Sequence, residues 1–236
     1  MEAGVALVTG GAVRLGAAFS RHLVARGYNL ALHYFSSATQ AHVLATELRE
    51  GGATVSTLCA DLRNSDAIPT LVDQIHQELG EVSLMVHNAG SLVRGGLESA
   101  DHSTWQRAFQ LHVEGPALLT RALAPDLRRQ GGQVIFVGDL AGEQGWPSHL
   151  THSVTRGAAL ILMRMLALEL APSVRVAAIS PGILDFDPLP PAARHIPLRR
   201  VGSSSDVMRA LDYVLDARFV TGEILHVDGG RLARRT

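Results

Sequence analysis

The stretch Val5-Ala-Leu-Val-Thr-Gly-Gly-Ala-Val-Arg-Leu-Gly16 decides the fold, because a short apolar strand pattern runs directly into a glycine-rich turn. A helical pattern follows at residues 16–27. The turn would therefore direct backbone N–H groups and a helix N-terminus at one place, which suits an anion such as a pyrophosphate. The spacing differs from the dinucleotide-binding G-x-G-x-x-G, so a simple tight strand-to-helix turn remains the alternative.

The rest of the chain repeats this strand-then-helix order. Further apolar or β-branched runs predict strands at residues 29–34, 54–58, 83–86, 134–137, 174–179 and 224–227. Amphipathic patterns between them predict helices at residues 38–51, 65–79, 104–129, 153–171 and 204–215. This alternation predicts an α/β fold of the Rossmann type, with a doubly wound, seven-stranded parallel sheet and helices on both faces.

Composition bounds the size and the setting of the protein. A chain of 236 residues with 47% hydrophobic residues predicts one domain over residues 1–236. A net charge of −1 gives no reason to expect nucleic acid or an anionic membrane as partner. The single cysteine, Cys59, and the absence of a membrane-length apolar run or a signal pattern favour a reducing, cytoplasmic setting. The basic stretch at residues 231–236 is interpreted as a solvated end.

The end of the second predicted strand indicates which dinucleotide would fit. It reads His33-Tyr34, with no Asp or Glu to hold a ribose 2′-hydroxyl. Arg14, Ser36 and Ser37, together with His33, offer donors for a 2′-phosphate instead. The sequence therefore favours NADP(H) over NAD(H).

Two further segments follow predicted strands at the same edge of the sheet. Asp61-Leu62 comes after the third strand, and His87-Asn-Ala-Gly90 comes after the fourth. Parallel strands present their carboxyl ends together, so these residues are expected where the adenine and the ribose would lie.

The motifs form one set along nearly the whole chain: Thr9-Gly10 with Gly16, Asp61, Asn88-Ala-Gly90, Pro181-Gly182, Val220-Thr-Gly222 and Val227-Asp-Gly-Gly230. In this set the chain resembles the short-chain dehydrogenase/reductase family. The resemblance implies the following cofactor-binding residues: Gly10, Arg14, Leu15, Gly16, His33, Tyr34, Ser36, Ser37, Asp61, Leu62, Asn88, Ala89, Gly90, Pro181 and Gly182.

Within that family the chain is most similar to the pteridine reductases. They too carry an Arg in the glycine turn, as Arg14 is here, and a His-Tyr pair after the second strand. It also resembles the bacterial dihydromonapterin reductases at Leu111-His112-Val113 and at the closing Asp228-Gly-Gly-Arg231.

The family's reaction centre is altered in this chain. The family places a proton-donating Tyr four residues before a Lys, so that both lie on one helix face, and the corresponding residues here are His152 and Arg156. Arg156 can hold the nicotinamide ribose but is a poor proton carrier. The chain has no lysine at all, so an Arg at this position says little about function. His152 could act as general acid because imidazole titrates near neutrality.

Two other positions complete the candidate catalytic set. Asp139 stands where most members of the family have a Ser, and the pteridine reductases are similar in having an Asp there. His112 takes the place of an Asn that orders a water, as in the dihydromonapterin group. Asp139 could form an acid–base pair with His152, or it could cap the following helix by accepting backbone N–H groups. Both histidines could also be structural.

Three functions remain open on these residues. The first is an NADP(H)-dependent reductase of pteridine-reductase type, acting on a C=N or C=O bond of a small planar substrate, for example a pterin. The second is a protein that binds a cofactor or ligand without turnover, and the third is a non-redox enzyme that uses His152 and Asp139 as acid and base.

Other features complete the prediction. The nearly all-apolar segment 158–168 predicts a buried helix that packs against a second subunit, in a homodimer or homotetramer. Trp146 could line the pocket, and the Pro-rich segment 181–197 is interpreted as a substrate lid. Neither a metal site nor a hydrolase nucleophile is expected, because no spacing of ligands or of a Ser supports one.

Overall fold

The computed structural model describes residues 4–186 and 192–233. Seven parallel strands form one sheet in the order β3-β2-β1-β4-β5-β6-β7. They are β1 (Val5–Val8), β2 (Asn29–Tyr34), β3 (Val55–Cys59), β4 (Val82–His87), β5 (Gln133–Val137), β6 (Arg175–Pro181) and β7 (Ile224–Val227). The predicted seven-stranded parallel sheet is confirmed.

Helices cover both faces of the sheet. They are α1 (Arg14–Ala25), α2 (Ala38–Glu50), α3 (Ala67–Glu78), α4 (His102–Phe109), α5 (Gly115–Gln130), α6 (Ala141–Gln144), α7 (Leu150–Leu170) and α8 (Ser204–Asp216). One apolar core lies under α3, α5 and α7, and the other lies under α1, α2 and α8. The central strands are apolar on both faces because each face is covered, as is usual for parallel sheets.

The helix predicted at residues 104–129 is interrupted in the structure. A turn of π-helix over Gln110–Glu114 separates α4 from α5, and the Gly115 N–H donates to the Gln110 carbonyl. Pro116 follows at once and has no N–H to continue the ordinary ladder, which is the physical reason for the break. An ideal Cβ on Gly115 would lie 2.5 Å from the Leu62 carbonyl oxygen, so this glycine lets the turn pack against the end of β3.

The segment after β6 is described only in part. Leu184 forms a bridge with Gly202, and Ile196 is buried. The middle of the predicted lid, residues 187–191, lies outside the described residues. In the C-terminal stretch that was expected to be solvated, residues 231–233 form a turn that packs on the protein, and residues 234–236 lie outside the described part.

Within residues 4–186 and 192–233, none of the helices has the length and apolarity that crossing a membrane requires.

Candidate active site

The carboxyl ends of β1 and β4 are tied together by two side chains. The Thr9 hydroxyl accepts hydrogen bonds from the backbone N–H groups of Asn88 and Ala89, both at 3.0 Å. Asn88 Nδ2 donates to the carbonyls of Thr9 (3.0 Å) and Gly10 (2.9 Å). The glycine-rich turn and the loop after β4 therefore form one rigid floor.

The glycine turn itself is built for close approach. Gly10 has a φ of +61°, and an ideal Cβ on Gly16 would lie 2.0 Å from the Gly10 carbonyl oxygen. Leu15 is buried and anchors the start of α1, whose first turn has no side-chain cap. The N-terminal amides of α1 are thus left without a side-chain acceptor beside a backbone that carries no Cβ, an arrangement that fits a pyrophosphate.

His33 does not present a donor to the cleft, contrary to the sequence-based expectation. The ring is buried, its Nδ1 accepts the Gly10 N–H at 3.2 Å, and its Nε2 donates to the Ala60 carbonyl at 3.0 Å. Burial lowers the pKa of His33 to about 4, so it is neutral at physiological pH. Because β3 covers the His33 ring, the ring lies behind the glycine turn and supports it through the bond to Gly10.

The other residues expected around the 2′-phosphate lie at the rim. Arg14 is exposed, its guanidinium stacks 5.2 Å from the Phe186 ring, and Nη2 donates to the Phe186 carbonyl at 3.4 Å. Tyr34 meets the His42 ring edge-on at 6.0 Å. Ser36 is exposed, and Ser37 immediately precedes α2 without capping it.

Asp61 is engaged by a neighbour that the sequence reasoning missed. Arg63 forms a two-pronged ion pair with it, with contacts of 2.7 and 2.8 Å, and this hydrogen bonding holds the pKa of Asp61 below its usual value. The Arg63 guanidinium also lies 5.3 Å from the Phe35 ring. Leu62 is buried. An arginine two residues after a strand-end carboxylate is the signal that could have revealed the pair.

Asp139 and His152 form the predicted pair. His152 Nε2 lies 3.1 Å from Asp139 Oδ2, and Asp139 Oδ1 accepts the Ala141 N–H at 2.8 Å. The carboxylate therefore does both things expected of it, because it accepts the first backbone N–H of α6 and contacts the imidazole. The His152 side chain is 2% exposed and that of Asp139 is 25% exposed, so the carboxylate is the member of the pair that the cleft reaches.

The charge state of Asp139 follows from its surroundings. Burial acts to raise its pKa, but the hydrogen bond with His152 and the positive charge of Arg156 outweigh burial, and the pKa lies below the usual value. Asp139 is an anion at neutral pH.

Arg156 lies one helical turn after His152 on α7 and points at the loop after β4. An ideal Cβ on Gly90 would lie 2.2 Å from Arg156 Nη2, so the guanidinium rests on bare backbone. Its Nε is buried and has no hydrogen-bond partner among the described residues. Burial lowers the Arg156 pKa, and Asp139 acts in the opposite direction. A guanidinium at this place fits the hydroxyl groups of a nucleoside ribose.

His112 occupies the π-helical turn and is enclosed. The Thr155 hydroxyl donates its hydrogen to the Thr151 carbonyl, so it accepts a hydrogen bond from His112 Nδ1 at 2.9 Å. His112 Nε2 in turn accepts the Ser91 N–H at 3.4 Å. Burial, together with nearby Arg156 and His152, lowers the pKa of His112 to about 2. Its ring packs edge-on against that of His152 at 5.7 Å. His112 is therefore placed to support His152 rather than to deliver a proton.

The end of β6 lies close to the end of β7. Pro181 pairs with Val227, and the Gly182 N–H donates to the Val227 carbonyl at 3.0 Å. An ideal Cβ on Gly182 would lie 2.8 Å from the Asp228 Cα, so a glycine is needed for this approach.

The family model described as enoyl-(acyl carrier protein) reductase matches residues 11–231 of the chain. The chain is similar to the uncharacterized oxidoreductase YmfI of Bacillus subtilis, with 35% identity over 95% of this chain and 97% of that one. It is also similar to the FolM alternative dihydrofolate reductase 1 of Brucella suis, solved in complex with NADP, with 28% identity, a TM-score of 0.92 and coverage of 98% and 96%.

A third similar structure is a blue fluorescent protein from a metagenomic library in complex with NADPH, with 28% identity, a TM-score of 0.89 and coverage of 97% of both chains. The family model and the Bacillus relative confirm the prediction that this protein is of the oxidoreductase class. Together with the parallel seven-stranded sheet and the glycine turn, they place the chain in the short-chain dehydrogenase/reductase family, in the group that the enoyl-(acyl carrier protein) reductase model describes.

Proposed function

We propose that this protein is an NADP(H)-dependent reductase of pteridine-reductase type, which reduces a C=N or C=O bond of a small planar substrate. One arrangement carries the proposal: the Asp139–His152 pair and the Arg156 guanidinium against Gly90 stand together at the carboxyl ends of neighbouring parallel strands. The similarity to NADP-bound dihydrofolate reductases of the FolM type supports the substrate class.

The cofactor-binding residues are proposed from the floor of the cleft. The amides at the start of α1 and the bare backbone at Gly10 and Gly16 would receive the pyrophosphate. Arg14 and Arg63 stand at the rim where a 2′-phosphate is expected, and Arg156 would donate to the nicotinamide ribose. When bound, NADPH supplies the hydride.

The proton is managed by the protein's own pair. Because Asp139 reaches the cleft and His152 does not, the carboxylate contacts the substrate and the imidazole stands behind it. The proton held across the 3.1 Å contact between His152 Nε2 and Asp139 Oδ2 would pass through Asp139 to the heteroatom of the substrate. His112 holds the His152 ring in place.

The burial of His152 also favours a second candidate, a protein that binds NADP(H) and a ligand without turnover. In that case the Asp139–His152 pair is structural, and Asp139 serves to hold the first backbone N–H of α6. The third possibility, non-redox acid–base chemistry on the same pair, needs no nicotinamide. Binding and turnover measurements separate the three functions.

The first experiment is a fluorescence titration with NADPH and, separately, NADH. We expect NADPH to bind more tightly, and Arg14→Ala to weaken NADPH binding while leaving NADH binding nearly unchanged. NADPH oxidation is then followed with dihydropterin and quinonoid dihydropterin substrates. Absence of NADPH binding at millimolar concentration would rule out the reductase, and binding without oxidation would favour the second candidate.

We also propose a homodimer or homotetramer in a cytoplasmic setting. The feature that supports assembly is an apolar stripe on α7, which the described residues leave about half exposed or more and which is formed by Val154, Ile161, Met165 and Leu168.

A further inference from the structure

The C-terminal turn over residues 228–232 follows β7 directly and is built on Asp228. Asp228 Oδ1 accepts the Gly230 N–H at 2.8 Å, and Oδ2 accepts the Leu232 N–H at 2.6 Å. The Arg231 N–H donates to the Asp228 carbonyl at 3.3 Å. These bonds fix the direction in which the Arg231 side chain leaves the turn.

Three contacts join this turn and the end of β7 to the segment that follows Asp139. The Arg231 guanidinium lies 5.3 Å from the centre of the Trp146 ring. Gln144 Nε2 donates to the Leu232 carbonyl at 3.1 Å, and His226 Nε2 lies 2.7 Å from the Glu143 carboxylate. The Arg231 guanidinium, the Gln144 amide and the contact between His226 and Glu143 thus hold one short segment, residues 143–146.

That segment leads to the reaction centre through a line of ring contacts. The Trp146 ring meets His149 edge-on at 5.9 Å, and His149 meets His152 at 6.5 Å. The backbone N–H of Trp146 also donates to the hydroxyl of Ser153, the residue after His152, at 3.0 Å. A displacement of Trp146 would therefore reach the His152 ring.

The same turn contacts the far side of the predicted lid. The Leu198 N–H donates to the Gly229 carbonyl at 3.1 Å, and an ideal Cβ on Gly230 would meet the Pro197 ring at 3.2 Å. The turn consequently connects the Trp146 segment with the residues that follow the lid.

We propose that Arg231 is a positioning residue for the substrate: it holds Trp146 as a wall of the substrate cleft and, through His149, keeps the His152 ring against Asp139. The kinetic part of this inference rests on the proposed reductase function. The structural part does not depend on that function, so the two parts can fail separately. The contacts that the described residues make with Arg231 are those with the Trp146 ring and the Asp228 carbonyl, and neither partner belongs to the glycine turn or to the loop after β4.

The structural part is tested by tryptophan fluorescence. The chain has two tryptophans, so Trp105→Phe leaves Trp146 as the only one. In that background we expect Arg231→Ala and Arg231→Gln to raise the acrylamide quenching constant about twofold or more, and Arg231→Lys to restore most of the protection because it keeps the cation. Arg128→Ala, an exposed arginine in the last turn of α5, is the matched control. Equal quenching in all these variants would overturn the proposal.

The kinetic part is tested on the otherwise native chain. We expect Arg231→Ala to raise the substrate KM about threefold to tenfold and to lower kcat, because the His152 ring loses its position against Asp139. The Kd for NADPH should stay nearly unchanged, and Arg231→Lys should recover most of both losses. Arg231→Gln provides a second variant if Arg231→Ala folds poorly. A parallel loss of NADPH affinity would overturn the positioning role, because it would mean general disruption. If the native protein binds NADPH but turns over no substrate, the proposed function fails and the quenching result alone decides the role of Arg231.

Discussion

Asp139 has two partners in the structure, and they give the side chain two separable roles. One carboxylate oxygen accepts the Ala141 N–H at the start of α6, and the other contacts His152. An amide of the same shape can keep the first contact but cannot be an anion or carry a proton between imidazole and substrate. Substitution by asparagine therefore isolates the chemical role.

We expect Asp139→Asn to lower kcat/KM about 10²- to 10⁴-fold, the usual contribution of a positioned acid–base group, with little change in the Kd for NADPH. The measurement is NADPH oxidation under saturating cofactor, with circular dichroism as a check on folding. Asp66→Asn, an exposed carboxylate at the start of α3, serves as control. An active Asp139→Asn enzyme would remove Asp139 from the proton path.

Single residues differ in how far the sequence predicts them. The four-residue spacing on α7 places His152 and Arg156 on a common face. Their partners Asp139 and Gly90 follow neighbouring strands, so sequence patterns alone predict that these four residues lie together. The role of His33 depends on β3 covering its ring and on the Ala60 carbonyl, which are tertiary contacts that no local pattern contains.

At the scale of elements, the π-helical turn is the feature that sequence periodicity missed. The apolar pattern continues through α4 and α5, so periodicity alone predicts one helix. The dipeptide Gly115-Pro116 in the middle of that pattern was the available signal, because proline removes a donor and glycine permits a close contact. The turn places His112 against Thr155.

We expect Gly115→Ala to destabilise the protein by about 1–3 kcal/mol, because the new methyl group would lie 2.5 Å from the Leu62 carbonyl oxygen. The sign of this change in unfolding free energy is informative, because replacing glycine by alanine in an unobstructed helix stabilises the helix by about 1 kcal/mol. The measurement is urea denaturation. In Gly96→Ala, where an added methyl meets only the tip of Glu98 at 3.8 Å, stability should change little. A stabilised Gly115→Ala variant would contradict this packing.

For the whole molecule, three histidines buried in neutral form predict sensitivity to acid. Burial lowers the pKa of His33 to about 4, that of His87 to about 3 and that of His112 to about 2. In the unfolded chain each would titrate near 6.5. The unfolded state therefore binds more protons below that pH, and stability falls as the pH falls from about 6.5 towards each folded-state value.

The expected loss is about 1.4 kcal/mol per pH unit for each histidine in this window. It is measured as the free energy of unfolding by urea at pH 7, 6, 5 and 4. His87→Leu should reduce the slope of the unfolding free energy against pH by about 1.4 kcal/mol per pH unit, which corresponds to one proton. His102→Leu, at an exposed site on α4, should leave this slope unchanged. A stability that stays flat down to pH 4 would contradict the neutral burial of these rings.

Assembly is also a property of the whole molecule. On α7, Leu168 is 73% exposed and Ile161 is 56% exposed in the single chain. If this stripe joins two copies, Leu168→Asp should lower the mass measured by light scattering, because burying a charge at an apolar contact is costly. Val43→Asp, at an equally apolar exposed site on α2, is the control. A native mass equal to that of one chain would refute the assembly.

The sequence predicted the sheet as a whole because the strands are short and mostly apolar, and the central strands are buried on both faces. It predicted the apolar character of α7 equally well, but periodicity cannot tell which side of an all-apolar helix faces this chain's own core. The structure makes that distinction, with Met163 buried and Leu168 exposed on the same helix.

The position of the C-terminal turn after β7 affects the order in which parts of the chain fold during its synthesis. Domains begin to fold from the N-terminus while the rest is still being translated, and six strands can pair before β7 emerges. Asp228 and Arg231 follow β7, so the floor of the cleft can form on the ribosome before the Trp146 wall is fastened. A nascent chain at that stage would already hold the dinucleotide site while its substrate side is still open.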